Sequence, residues 1–205
     1  MPIMYAQPGA IPNTSLGDSI AAPLLGGKAG EGIVAELHGK WYTSSYRGRV
    51  FSASALIAGI VIPVQTATAA TFVLWNPSAS GVNLELISLD LGMLTAATNV
   101  VAPIMLGYSN QTPTGLTAIT PFSLNGSTGA PQARVASAAT ITATPVNQLL
   151  TLFSITATTL PAQPYHYDFD GKVLVPPGWL VTLLSGANAQ TDSTVPNITW
   201  AEFPV

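Results

Sequence analysis

Charge is the scarcest property of this chain, because six Lys and Arg and nine Asp and Glu make up only 7% of its 205 residues. Soluble domains usually carry about 25% charged residues. With so few charged residues, an isolated monomer would lack the charged surface that soluble proteins usually have. The chain also offers few of the acids and bases that catalysis needs. The composition therefore favours an assembly protein whose surface is covered by other protein.

Cysteine is absent and histidine occurs only twice, which excludes disulfides and thiolate metal sites and leaves the cellular compartment undetermined. The net charge of −3 offers no basic surface, so no nucleic-acid partner is expected. The longest apolar stretch, residues 55–64, falls short of the roughly 18 residues that span a bilayer. Gly59 and Pro63 interrupt it, so no membrane partner is expected. The N-terminus also lacks a basic segment followed by an apolar one, so no secretory signal is expected.

Residues 1–32 combine many prolines and glycines with apolar side chains. Proline removes backbone donors and glycine raises the entropic cost of ordering, so neither a helix nor a central strand is expected there. The segment is also too apolar and too poor in charge for an ordinary disordered tail. It is predicted to be an extended arm that lies in a groove on a neighbouring subunit, or alternatively on its own domain. The residues predicted to make these contacts are Ile3, Tyr5, Ile11, Leu16, Leu24 and Leu25.

From residue 33 to residue 205 the pattern indicates β-structure, because runs of Val, Ile, Thr, Leu and aromatic residues alternate with turn clusters of Gly, Asn and Pro. One all-β domain is predicted, a jelly-roll-like β-sandwich with an extended N-terminal arm. A division into two halves near residues 125–131 is the alternative. The predicted strands are residues 33–37, 41–54, 56–64, 70–76, 83–91, 100–108, 116–122, 132–139, 149–158, 172–175, 180–185 and 198–203.

Residues 83–91 show the clearest alternation. Leu84 and Leu86 are expected to face inward, and so are Leu89 and Leu91 after a change of phase at Ile87–Ser88. That change predicts a β-bulge or a strand buried on both faces. The best helix candidate, residues 53–62, is disfavoured by its glycine and its β-branched residues.

The C-terminal third carries the most specific pattern. An Asp170-Gly171 turn leads into a short strand, and a Pro176-Pro177-Gly178 corner leads into a second strand that begins with Trp179. The pattern closes on Trp200-x-Glu202-x-Pro204. It resembles the closing strands of jelly-roll structural proteins of tailed bacteriophages, namely capsid decoration (cement) or tail-associated proteins, and residues 75–84 resemble a strand–turn–strand of the same proteins. The resemblance implies a trimeric or capsid-bound role without chemistry.

Candidate sites for metal binding are sparse. A zinc site needs three or four convergent ligands, and His38 and His166 are the only histidines. Asp168-x-Asp170-Gly171 matches part of a calcium loop but lacks its remaining ligands and closing glutamate. A strand entering a turn explains the same residues, so no metal and no cofactor are predicted.

Catalytic patterns are equally weak. No serine stands in a Gly-x-Ser-x-Gly elbow, and the pairs Glu85/Asp90 and Glu31/Glu36 fit a solvated strand face better than paired glycosidase carboxylates. The chain is therefore predicted not to be an enzyme. Six aromatic residues were weighed as a sugar-binding platform, although core or interface positions are favoured for them: Trp41, Tyr42, Tyr46, Trp75, Trp179 and Trp200.

These observations together predict a non-enzymatic viral structural protein, specifically a capsid decoration protein that binds and stabilises the assembled shell. It is expected to form a homotrimer, to contact the major capsid protein or another virion protein, and to reside in the virion after assembly in the host cytoplasm. A phage tail or head-fibre component is the alternative. A carbohydrate-binding, lectin-like module that uses Trp179 or Trp41 is the alternative from another class.

Overall fold

The structure is a computed structural model that describes residues 39–55, 57–95, 101–142, 149–156, 164–186 and 193–205. The chain divides into two units, Met1–Lys40 and Trp41–Val205, and the second unit is the β body described below. The predicted arm and the predicted strand at residues 33–37 lie outside the described residues.

The described part of the body contains one short helix and thirteen strands. Because the apolar residues recur mostly at every second position, the chain forms strands, whose side chains point alternately to opposite faces. The elements are α1 (Tyr42–Tyr46), β1 (Val50–Ser54), β2 (Ala69–Ala70), β3 (Val73–Trp75), β4 (Val82–Met93), β5 (Val101–Asn110), β6 (Thr114–Ile119), β7 (Phe122–Ser123), β8 (Arg134–Thr140), β9 (Leu149–Thr156), β10 (Tyr165–Asp168), β11 (Leu174–Val175), β12 (Trp179–Ser185) and β13 (Thr194–Pro204).

The strands form two antiparallel sheets that pack as a sandwich, which confirms the predicted all-β sandwich. The first sheet has the order β10-β4-β13-β1-β7, with β11 also paired to β4. The second has the order β2-β8-β3-β12-β5-β9, with β6 paired to β8. Side chains from both sheets meet in one main core. Its largest fully buried members include Trp200, Phe72, Leu74, Leu86 and Ile104.

Strand β4 shows the predicted alternation and the predicted bulge. Leu84, Leu86, Leu89 and Leu91 are all fully buried. Thr199 of β13 lies opposite Ser88 and the next residue, Trp200, lies opposite Leu86, so Ile87 is the extra residue of a bulge. Ile87 packs in a small separate cluster with Val50 and Ala201, against which Trp41 and Phe203 also pack. The bulge thus places one apolar side chain on the outer face of the first sheet.

Strand β12 of the second sheet is buried on both of its faces. In β12, Val181 and Leu183 join the main core. Leu180, between them and Trp179, instead joins a second cluster with Val73 and Ile141. Each of these β12 leucines and valines is essentially fully buried. A strand solvated on one face would alternate apolar and polar residues, whereas β12 is buried on both faces.

Two predicted strands were wrong. Residues 41–54 were predicted as one strand, but they form α1 followed by β1. Gly48, at φ 68°, turns the chain between them, and Trp41 packs back against Val50 of the following strand. Residues 57–64 make only the isolated bridges Ile60–Thr194 and Val64–Ser185, because Gly59 adopts φ 70° and Pro63 has no amide hydrogen.

Two smaller corrections concern strand number. Residues 116–122 were predicted as one strand, but they contribute to β6 and β7, which Thr120 and Pro121 separate. Strand β10 was absent from the predicted set, because its Tyr-His-Tyr-Asp sequence alternates aromatic with polar residues over only four positions. It pairs with the C-terminal half of β4.

Tyr108 ties β11 to the second sheet and provides a test of this packing. Its hydroxyl donates a 2.6 Å hydrogen bond to the Leu174 carbonyl, and its ring stacks on Trp179 with centroids 4.7 Å apart. Burial raises the pKa of Tyr108 above its ordinary value of 10.0. The folded protein therefore holds this proton more tightly than the unfolded chain does.

We expect Tyr108→Phe to lower the free energy of unfolding at neutral pH by about 0.5–1.5 kcal/mol, the usual net value of one hydrogen bond. The stability that the bound proton contributes is fully present below pH 10 and is lost as the pH rises through the raised pKa of the folded state. The wild-type protein should consequently lose stability above pH 10 more steeply than the variant. Urea unfolding across this range measures both effects, and parallel alkaline profiles would contradict the assignment.

Candidate interaction surface

The six arm residues predicted to make contacts, Ile3, Tyr5, Ile11, Leu16, Leu24 and Leu25, lie outside the described residues. Their role stays a prediction. The described body nevertheless carries an exposed apolar surface of its own, at the edge of the first sheet.

This surface, here called the β7 patch, consists of two residues of α1 and two at β7. Their exposed fractions are 47% for Tyr42, 66% for Tyr46, 54% for Phe122 and 49% for Leu124. Pairing of β7 with β1 sets Phe122 opposite Ser52 and Ser123 opposite Phe51. Since Phe51 and Ser123 are buried, the alternation turns Phe122 and Leu124 to the outer face.

Hydrogen bonds hold the two halves of the β7 patch together. The side-chain amide of Asn125 donates a hydrogen bond to the Tyr46 carbonyl at 3.3 Å. The backbone amide of Leu124 donates one to the Val50 carbonyl at 3.0 Å. The rings of Tyr42 and Tyr46 stack with centroids 6.1 Å apart. The chain segment at the end of β7 is thus tied both to α1 and to β1.

A groove of about 480 Å³ adjoins the patch, a volume within the range typical of binding pockets. One wall is formed by Thr120, Pro121, Phe122 and Ser123, and the other by residues 126–131. No charged residue lines it. A neutral groove with proline and phenylalanine walls is suited to an uncharged, partly apolar chain segment.

Buried Glu202 anchors the loop that forms the second wall of this groove. Its two carboxylate oxygens accept hydrogen bonds from the amides of Gln132 and Ala133, both at 2.9 Å. One of them also accepts from Trp200 Nε1 at 3.2 Å. A carboxylate can serve several donors at once, and such charge-assisted bonds are stronger than neutral ones. The Trp-x-Glu spacing puts both side chains on the inner face of β13. There Glu202 holds the C-terminal end of the loop, and Trp200 holds Glu202 in place.

Away from the β7 patch, the outer face of the first sheet carries polar side chains that contact one another across the strands. His166 Nδ1 and Asp90 Oδ1 lie 2.7 Å apart across β10 and β4. The Ser52 hydroxyl donates to Asn197 Oδ1 at 2.8 Å, and the Thr199 hydroxyl donates to Ser52. Polar groups, most of them neutral, therefore satisfy one another across the strands, so this face needs few charges to remain hydrated.

The residues weighed for metal binding and catalysis do not converge in the described part of the chain. The His166–Asp90 pair is exposed, and no cluster of three His, Asp or Glu residues that could hold a metal ion occurs among the described residues. Asp168 Oδ1 accepts from the amide of Asp170, which is the strand-to-turn arrangement that was favoured for these residues. Glu85 and Asp90 both lie on the outer face of β4, one on each side of the bulge. His38 lies outside the described residues.

The six aromatic residues weighed as a sugar platform are dispersed. Trp200 is in the core, tilted against Phe51. Arg134 lies 5.6 Å from the centre of the Trp75 ring, Trp179 stacks on Tyr108, and Trp41 packs against a small cluster. Only Tyr42 and Tyr46 pair at an exposed position, and they belong to the β7 patch. Phe122 and Leu124 were not among the predicted contact residues, because their exposure depends on the pairing of β7 with β1.

Comparison of the chain with protein-family models, with curated proteins and with solved structures finds no match. Across the described residues, no helix has the length and hydropathy required to cross a bilayer.

The Glu202 contacts predict a large effect from a nearly isosteric change. Glu202→Gln replaces one accepting oxygen by an amide donor that faces a backbone amide, and the resulting unsatisfied donor should cost about 1–3 kcal/mol of unfolding free energy. Glu85→Gln on the outer face is the matched control, which should change stability by less than about 0.5 kcal/mol. Urea unfolding compares the two, and equal effects would show that the buried contacts do not hold the loop.

Proposed function

We propose that this protein is a non-enzymatic structural component of a virion, specifically a capsid decoration (cement) protein that binds and stabilises an assembled shell. The β7 patch with its neutral groove is the observation that carries the proposal. An exposed apolar surface on a sandwich with so few charges suits lasting contact with protein, since burying it removes no ionic hydration.

The proposed mechanism is added contact area. Apolar surface removed from water contributes about 25 cal/mol per Å², and many copies on one shell would multiply the contacts that must break before the shell opens. A homotrimer with jelly-roll connectivity, bound to the major capsid protein or to another virion protein, belongs to this proposal. Closed rotational symmetry lets one patch serve every subunit equally.

The packing of the tryptophans supports assembly over sugar binding. A lectin-like platform needs exposed aromatic faces, whereas Trp41 packs on the body and Trp179 stacks on Tyr108. A tail or head-fibre location would use the same surface, and the position of the protein on the particle separates these two proposals.

The proposal is tested by immunogold electron microscopy of purified virions, with antibodies raised against the recombinant protein. We expect regularly spaced label over the capsid. Label confined to the tail or to fibres would replace the decoration proposal by its alternative, and the absence of the protein from virions would refute both.

The patch itself is tested by rebinding to particles assembled without the protein. Phe122→Ser combined with Leu124→Ser should weaken binding about tenfold or more, because a loss of 1.4 kcal/mol is tenfold in affinity. Leu174→Ser is the control, since Leu174 is 53% exposed outside the patch and should bind as the unmodified protein does. Equal binding of all three proteins in a sedimentation assay would show that the patch is not the contact surface.

A further inference from the structure

We propose that the β7 patch and its groove receive the N-terminal arm of a neighbouring copy of this chain. The inference rests on the proposed assembly function and names the occupant as another copy on the same shell, so that the patch strengthens shell binding by linking neighbouring copies to one another. It joins two features that are otherwise separate, namely an apolar arm predicted from sequence and an exposed apolar site on the body.

The chemistry of the arm matches that of the site. Residues 1–17 contain no charged side chain, and none lines the groove. Contact between them therefore leaves no ion buried and unpaired. The arm has apolar anchors at Ile3, Tyr5 and Ile11, which are an even number of residues apart and so share one side of an extended segment.

The prolines of the arm match the aromatic character of the patch. Pro2, Pro8 and Pro12 favour the extended polyproline conformation in their surroundings. Proline-rich segments in this conformation bind grooves lined by aromatic residues, since little entropy remains to be lost on docking. The two tyrosines of α1 and Phe122 supply three exposed rings at the site.

Chain length permits a neighbouring copy to be the donor. Residues 17–38 can span up to about 75 Å when extended, whereas a domain the size of the body has a radius of gyration near 15 Å. The body begins at Trp41, directly before the α1 half of the patch. The reach of the extended segment is several times the radius of the body, so the arm is long enough to bridge to the patch of the next copy. Such a head-to-tail contact closes into a ring when the rotation between copies permits.

The experiment uses the absence of cysteine from the full chain. Three single arm variants, Ile3→Cys, Ile11→Cys and Leu16→Cys, are each mixed with a Leu124→Cys variant that carries a size tag. After mild oxidation, a disulfide between the two proteins is a heterodimer on a non-reducing gel. Leu174→Cys, at a similarly exposed leucine away from the patch, replaces Leu124→Cys in the control mixture.

We expect at least one arm position to give about tenfold more heterodimer with Leu124→Cys than with Leu174→Cys, because docking raises the local thiol concentration. No excess at any of the three positions would overturn the proposal. So would a double variant, Ile11→Cys with Leu124→Cys, that forms only an internal disulfide and remains a monomer, since the arm would then occupy its own patch.

A second measurement keeps the result independent of thiol chemistry. Phe122→Ser combined with Leu124→Ser should reduce self-association in light scattering, while Leu174→Ser should not. Detection of the protein on virions does not depend on either outcome. A failed cross-link therefore removes the arm contact alone, whereas absence from virions removes the proposed function whatever the cross-link shows.

Discussion

The pairing of β13 with β4 on one side and with β1 on the other is the interaction on which the described surfaces depend. Each position along β13 supports a different feature. Trp200 packs in the core, and Ala201 belongs to the small cluster against which Trp41 packs. Glu202 holds the loop beside the groove through its hydrogen bonds. Asn197 and Thr199 continue the polar rows of the outer face. A shift of β13 by one residue would exchange all inner and outer side chains at once.

The scarcity of charge is accommodated by local pairing of neutral polar groups. Hydroxyl and amide side chains on neighbouring strands bond to one another, and the backbone of each sheet is largely satisfied by its ladder. Apolar exposure is consequently concentrated at a few places, of which the β7 patch combines four residues with a groove. The hydrated polar face and the exposed apolar edge of the first sheet thus differ in polarity, although neither carries many charges.

The sequence was most informative where local pattern and burial agree. The alternation of leucines in β4 and its change of phase at Ile87 were enough to predict both the inner face and the bulge. The helix at Tyr42–Tyr46 was not predictable in this way, because Trp41 packs on the outer face that the following strand and β13 build. Of the candidate site, the Trp-x-Glu motif was visible in the sequence. Its contact with Gln132 and Ala133 depends on chain segments distant in sequence.

The order of strands in the first sheet also has a consequence for synthesis on the ribosome. Strand β1 pairs with β13, from Val50 opposite Ala201 to Ser54 opposite Asn197. Strand β4 pairs with the other side of β13. While the intervening chain is being translated, β1 and β4 lack the strand that belongs between them. Their edges and the apolar face of β4 remain open during that interval, and such edges template incorrect pairing. The first sheet therefore closes only after β13 has left the ribosome, and until then its central strands depend on protection from other chains.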